Sequence, residues 1–116
     1  DGKAVYLAAS SITESMDAAW GDINWTSGIK DKTAKGQIAL DKEPCGAVYK
    51  GMLTADYDIK RLDPYVVGKF LGKKKGCDLN GIASPDNILA TATGGLIIAE
   101  DAGKRQHPVD FLWLKK

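Results

Sequence analysis

The stretch Ser84-Pro85-Asp86-Asn87-Ile88-Leu89-Ala90-Thr91-Ala92-Thr93-Gly94-Gly95-Leu96-Ile97-Ile98-Ala99-Glu100-Asp101 decides the fold class. Gly94-Gly95 is a strong two-residue hairpin signal between apolar runs at 88–93 and 96–99. Such a turn pairs Thr93 with Leu96, Ala92 with Ile97, Thr91 with Ile98, Ala90 with Ala99 and Leu89 with Glu100. Side chains alternate between the faces of a strand. The register therefore places Asn87 on the face of Glu100, and Asp86 on the opposite face with Asp101. Both pairs are diagonal neighbours, about 7–8 Å apart at the backbone.

Asp86, Asn87, Glu100 and Asp101 thus offer carboxylate and amide oxygens at the mouth of one hairpin. Hard cations such as calcium take about six to eight ligands of this type. These four residues are the candidate metal ligands. His107 adds a nitrogen donor of the kind transition metals prefer. Simpler roles compete for each residue. Asp86-Asn87 also suits a turn capped by side-chain hydrogen bonds. Glu100 and Asp101 also suit solvated strand ends, and His107 before Pro108 suits an ordinary loop.

Working outward, residues 3–10 (KAVYLAAS) and 46–52 (GAVYKGM) are strand candidates, and both contain Ala-Val-Tyr. Residues 54–59 fit a return strand, Asp63-Pro64 a turn, and Tyr65-Val66-Val67-Gly68 a short extended run. Gly72-Lys73-Lys74-Lys75-Gly76 is a cationic loop, more suited to solvent than to cradling phosphate. Residues 111–114 supply a further strand. A short helix fits 15–20, ended by Gly21. Residues 21–43 have no sustained period and form an irregular surface excursion, with one weak strand at 36–40. Such a length is rare inside a compact domain. Trp20 and Trp25 need cover from elsewhere in the fold or from another chain, which makes them the candidate interface residues. The expectation is a mainly β chain, a single segment over 1–116, built of four-stranded sheet fragments with long irregular loops.

Composition narrows the function. The chain has 116 residues and a formal charge of +1, so there is no global electrostatic case for a nucleic-acid partner or a polybasic membrane anchor. No apolar run approaches the roughly 20 residues of a transmembrane helix. Charge is mildly uneven: residues 44–82 hold 7 basic and 4 acidic groups, whereas residues 1–43 hold 5 and 7. A start at Asp1-Gly2 suggests processing or excision from something longer. Cys45 and Cys77 can form one disulfide or remain two buried thiols. There is no phosphate-binding Gly-Lys-Ser/Thr loop, no closely paired cysteine metal motif and no glycine-flanked serine elbow.

Ser84-Pro85-Asp86-Asn87-Ile88 and Leu96-Ile97-Ile98-Ala99-Glu100-Asp101 resemble segments of the PhoX-type alkaline phosphatases. So do Val5-Tyr6-Leu7-Ala8 with Ser15-Met16, Gly46-Ala47-Val48-Tyr49, Cys77, and the ending His107-Pro108-Val109-Asp110-Phe111-Leu112-Trp113. The resemblance runs from about residue 3 to 113. It implies a β-propeller phosphomonoesterase dependent on calcium and iron, with Glu100 as a metal ligand and Asp86, Asn87 and Asp101 near the same rim. It also implies an extracytoplasmic location. The chain departs from the family in length. It begins after the arginine and glutamate that precede the matching first strand, and most other metal ligands fall outside it.

The resulting expectation is incomplete propeller-like blades with open edges that pair with other protein chains or missing propeller segments. The leading functional expectation is a non-catalytic structural or accessory subunit in a larger assembly. One alternative is a piece of a metal-dependent phosphomonoesterase completed by other segments, with calcium, and with iron only in a complete site. Another is a calcium-stabilised β domain.

Overall fold

The computed structural model describes residues 3–12 and 42–116. Six strands run in chain order: β1 (Ala4–Ala9), β2 (Ala47–Leu53), β3 (Ile59–Val67), β4 (Pro85–Ala90), β5 (Leu96–Glu100) and β6 (Leu112–Lys115). Among the described residues there is no helix. The strands form two antiparallel three-stranded sheets, ordered β1-β2-β3 and β4-β5-β6. The mainly β class is as expected, but each sheet has three strands rather than four, and the described residues form no closed barrel or propeller. The expected helix at 15–20, the weak strand at 36–40, Trp20, Trp25 and nearly all of the 21–43 excursion lie outside the described residues.

The central strand of each sheet supplies the core. Along β5, Leu96, Ile98 and Glu100 are buried while Ile97 and Ala99 are half-buried. That alternation gives the strand one fully covered face. Leu96 and Ile98 pack with Val48 of β2 and with Ile82 of the connecting segment. Tyr6, Ala8, Tyr65, Val66, Ile88 and Trp113 close around them from both sheets. At one side of this core the Lys115 ammonium lies 5.6 Å from the Tyr65 ring centre, and Lys50 lies 5.1 Å from the same ring. Cations over an aromatic face add a modest electrostatic attraction to the packing.

The turns correct two expectations. Gly94-Gly95 is not a two-residue turn. The Thr91 carbonyl accepts from Gly94 N–H (3.1 Å), Thr91 N–H donates to the Gly95 carbonyl (2.8 Å), and Thr91 Oγ1 accepts from Gly95 N–H (2.8 Å). This is a three-residue loop with a left-handed residue, Gly94, at φ 88°. The observed register pairs Ala90 with Leu96 and Leu89 with Ile97, three positions from the expected one. An odd shift transfers the β4 side chains to the opposite face.

The β2–β3 connection repeats the same turn. Thr54 N–H donates to the Asp58 carbonyl (2.8 Å), the Thr54 carbonyl accepts from Tyr57 N–H (3.0 Å), and Thr54 Oγ1 accepts from Asp58 N–H (3.1 Å). Residues 54–58 are therefore the turn rather than a return strand. Asp63-Pro64 lies inside β3 rather than at a turn. Pro64 pairs with Tyr49 next to a bulge, and β3 is an edge strand, where a missing N–H is tolerated. The structural repeat is thus Thr-Ala-Asp-Tyr-Asp against Thr-Ala-Thr-Gly-Gly, not the Ala-Val-Tyr echo.

The Cys45–Cys77 disulfide ties the start of β2 to the connection between the sheets, with 5.9 Å between the two Cα atoms. Both sulfur-bearing residues are buried and pack on Ala83 and Ala102. Around them Ser84 N–H donates to the Cys45 carbonyl, Asp101 N–H to the Ser84 carbonyl, and Ser10 Oγ to the Pro85 carbonyl.

Two outcomes follow from these features. The Cys45→Ala/Cys77→Ala pair is expected to lower unfolding free energy by about 3–4 kcal/mol in urea titration, the loop-closure value for a cross-link of this span. Tyr57 holds the left-handed position at φ 59° with an exposed side chain. Tyr57→Gly is expected to raise stability by roughly 0.5–1 kcal/mol in the same titration, because glycine removes the steric penalty but adds unfolded-state freedom.

Candidate functional site

Glu100 ends β5 on the core face, in register with Leu96 and Ile98. A carboxylate at such a position is costly unless its oxygens are matched by donors. Four donors meet it. Oε1 accepts from Ala83 N–H (3.0 Å) and from the Trp113 indole Nε1–H. Oε2 accepts from Phe111 N–H (3.1 Å) and faces His107 Nδ1 at 2.8 Å. Ala83 belongs to the connecting segment, His107 to the loop before β6, Phe111 to the entry into β6, and Trp113 to β6 itself. One carboxylate therefore joins four parts of the chain.

His107 is buried on both sides. Its Nε2 lies 3.0 Å from the Asp78 carbonyl oxygen, while Nδ1 faces Glu100. Both ring nitrogens are thus engaged, Nδ1 by a carboxylate oxygen and Nε2 by a backbone carbonyl. The rings of His107 and Phe111 lie 4.9 Å apart and those of Phe111 and Trp113 5.9 Å apart, closing an aromatic cover over the pair. Gln106 is a second clamp. Its Oε1 accepts from Ser84 Oγ (2.7 Å) and Gly103 N–H (3.0 Å), and its Nε2 donates to the Pro44 carbonyl (3.0 Å).

The other expected ligands do not join Glu100. Asn87 pairs with Ala99 and so shares the outward face, away from Glu100. Asp86 occupies the irregularity between Pro85 and Asn87, and its Oδ2 accepts from Asn87 Nδ2 at 2.9 Å. Asp86, Asn87 and Asp101 are all exposed. The arrangement does not fit a calcium or iron site built from these residues. Each Glu100 oxygen already accepts two hydrogen bonds, and the exposed oxygens sit on other faces. Among the described residues no cluster of three or more His, Cys, Asp or Glu is placed to hold a metal ion.

His107 was a weaker sequence candidate than Glu100, yet the fold joins the two. Trp113, Gln106 and the Ala83 and Phe111 amides were not foreseen. Trp113 carried a usable signal, because a buried indole N–H requires an acceptor. The backbone donors carried none, since every residue type other than proline supplies an N–H.

No protein-family model, curated protein or solved structure matches this chain. The geometry alone defines what the site can do. A carboxylate with all acceptor positions filled, facing a buried imidazole, is a structural clamp and not a proton-transfer pair open to substrate.

Glu100→Gln replaces an acceptor-only group with one oxygen and one donor amide, leaving buried donors unmatched. The expected loss of stability is about 3–5 kcal/mol. Trp113→Phe removes a single donor and is expected to cost about 1.5–3 kcal/mol, the range for a hydrogen bond to a charged group. A double-mutant cycle by chemical denaturation should show strong non-additivity between the two; additive losses would separate Trp113 from the clamp.

Proposed function

We propose that this chain is a non-catalytic structural module that lays the outer face of its second sheet against the apolar face of another protein's β-sheet. One observation carries the reading. Leu89, Ile97 and Leu114 lie on one rung across β4, β5 and β6, and Ala99 and Leu112 lie on the next, all on the face opposite the core. Leu89 is 63% exposed, Leu112 73% and Leu114 60%. Three large apolar side chains side by side on a flat sheet favour an apolar cover over water. Burying these leucines would contribute roughly 3–6 kcal/mol at the usual value per side chain.

A β-sheet is the matching occupant because the core face of this same sheet is already covered in part by strand residues of the first sheet, Tyr6, Ala8, Val48, Tyr65 and Val66. The resemblance to propeller blades supports the same mode, in which a neighbouring blade covers each sheet. The alternatives of a completed phosphomonoesterase and of a calcium-stabilised domain both use Glu100 as a cation ligand, and its acceptor positions are engaged internally.

In its native host, a photo-crosslinker placed at Leu112 is expected to give one discrete protein adduct rich in β-sheet. A crosslinker at Tyr57, on the exposed β2–β3 turn, should give none. Leu112→Lys/Leu114→Lys is expected to abolish co-sedimentation with the crosslinked partner while leaving the thermal melt within a few degrees. Equal adducts at both positions, or no adduct at Leu112, would overturn the reading. So would chelator-sensitive hydrolysis of a phosphomonoester by the 116-residue chain.

A further inference from the structure

Two loops far apart in sequence carry the same turn and the same sign of charge. In the first, the Gly72 carbonyl accepts from Lys75 N–H (3.2 Å) and Gly76 N–H (2.8 Å). In the second, the Gly103 carbonyl accepts from Gln106 N–H (2.8 Å) and His107 N–H (3.3 Å). Each turn places basic residues immediately after its leading glycine: Lys73, Lys74 and Lys75 in one, Lys104 and Arg105 in the other. The fold sets the turns against each other. Cys77 N–H donates to the Gln106 carbonyl (3.0 Å), and a Cβ at Gly76, which has φ 68°, would collide with the Arg105 carbonyl oxygen.

Between the turns lies a cleft of about 380 Å³, within the roughly 300–1,000 Å³ range of small-molecule sites. Its lining includes all five basic residues and no Asp or Glu. All five side chains are exposed, and among the described residues none is held in an ion pair. The nearby Asp78 carboxylate is turned toward its own loop, where Oδ1 accepts from Asn80 N–H. The whole chain carries only +1, so five converging cations are a local concentration of charge that the total conceals. Held together by the Cys77–Gln106 backbone hydrogen bond and the close Gly76–Arg105 approach, the two turns cannot separate freely to relieve their repulsion.

We propose that this cleft binds a compact small molecule bearing several phosphate groups. Each phosphate monoester carries about 1.5–2 negative charges near neutral pH, so about three of them balance five cations. Lysine ammoniums serve as point charges for phosphate oxygens, and the Arg105 guanidinium offers a two-pronged donor set. The site is independent of the outer face of the second sheet.

Isothermal titration of the 116-residue chain with inositol hexakisphosphate tests the proposal in 150 mM NaCl. Saturable one-to-one binding is expected. Lys104→Ala/Arg105→Ala should weaken it at least tenfold, whereas Lys3→Ala/Lys116→Ala, an equal charge change at the two chain ends, should shift it less than twofold. No saturable binding, or equal weakening by both double variants, would overturn the site. Sucrose octasulfate binding as tightly as the phosphate probe would overturn the phosphate assignment.

Discussion

The Glu100 carboxylate is the constraint on which the second half of the chain depends. It stands on the core face of β5, where a leucine or isoleucine would be the ordinary choice. Its acceptance of the Ala83 and Phe111 amides fixes where the connecting segment ends and where β6 begins. Its contacts with His107 and Trp113 fix the loop between β5 and β6 and the face that β6 turns inward. An apolar residue there would fill the volume but leave two backbone amides and an indole N–H without partners. The chain therefore keeps a charge in its interior because that charge organises four separate segments.

The disulfide and the clamp act on adjoining parts of the molecule. Cys45–Cys77 holds the connecting segment to the first sheet, and Ser84, seven residues later, hydrogen-bonds back to the Cys45 carbonyl. Asp78, next to Cys77, supplies the carbonyl that faces His107 Nε2. The covalent link and the buried His107–Glu100 contact thus meet through two consecutive residues. That junction also sets the Gly72 and Gly103 turns side by side. The basic cleft and the core clamp are consequently two sides of one loop assembly, with the nitrogens of His107 directed inward and the lysines outward.

The two hairpin turns show what repetition means in this chain. Thr54 and Thr91 make the same three hydrogen bonds, and each turn needs a left-handed residue at the same position. Glycine meets that need in one turn and tyrosine in the other. The hairpins differ in their surroundings, however. The outward rungs of β4, β5 and β6 carry leucines and isoleucine, whereas the corresponding face of the first sheet is covered near Ile12, Ala47 and Tyr49. The repeated hairpin therefore ends in one covered face and one open face.

Local chemistry legible in the sequence determined the strand class and the approximate positions of β1, β2, β4, β5 and β6. Alternating apolar residues and glycine-bearing turns act over a few residues, so their signal survives without the rest of the chain. The sequence also marked Glu100 and the lysines of 73–75 as chemically notable. Tertiary structure alone decided their roles. A three-residue turn at 92–94, in place of a two-residue turn at 94–95, shifted the register by three positions and separated Asn87 from Glu100. Closure of the connecting segment joined Cys45 to Cys77 and carried Lys104 and Arg105 to the lysine loop. These outcomes depend on contacts between residues tens of positions apart, and no short-range pattern encodes which distant groups will meet.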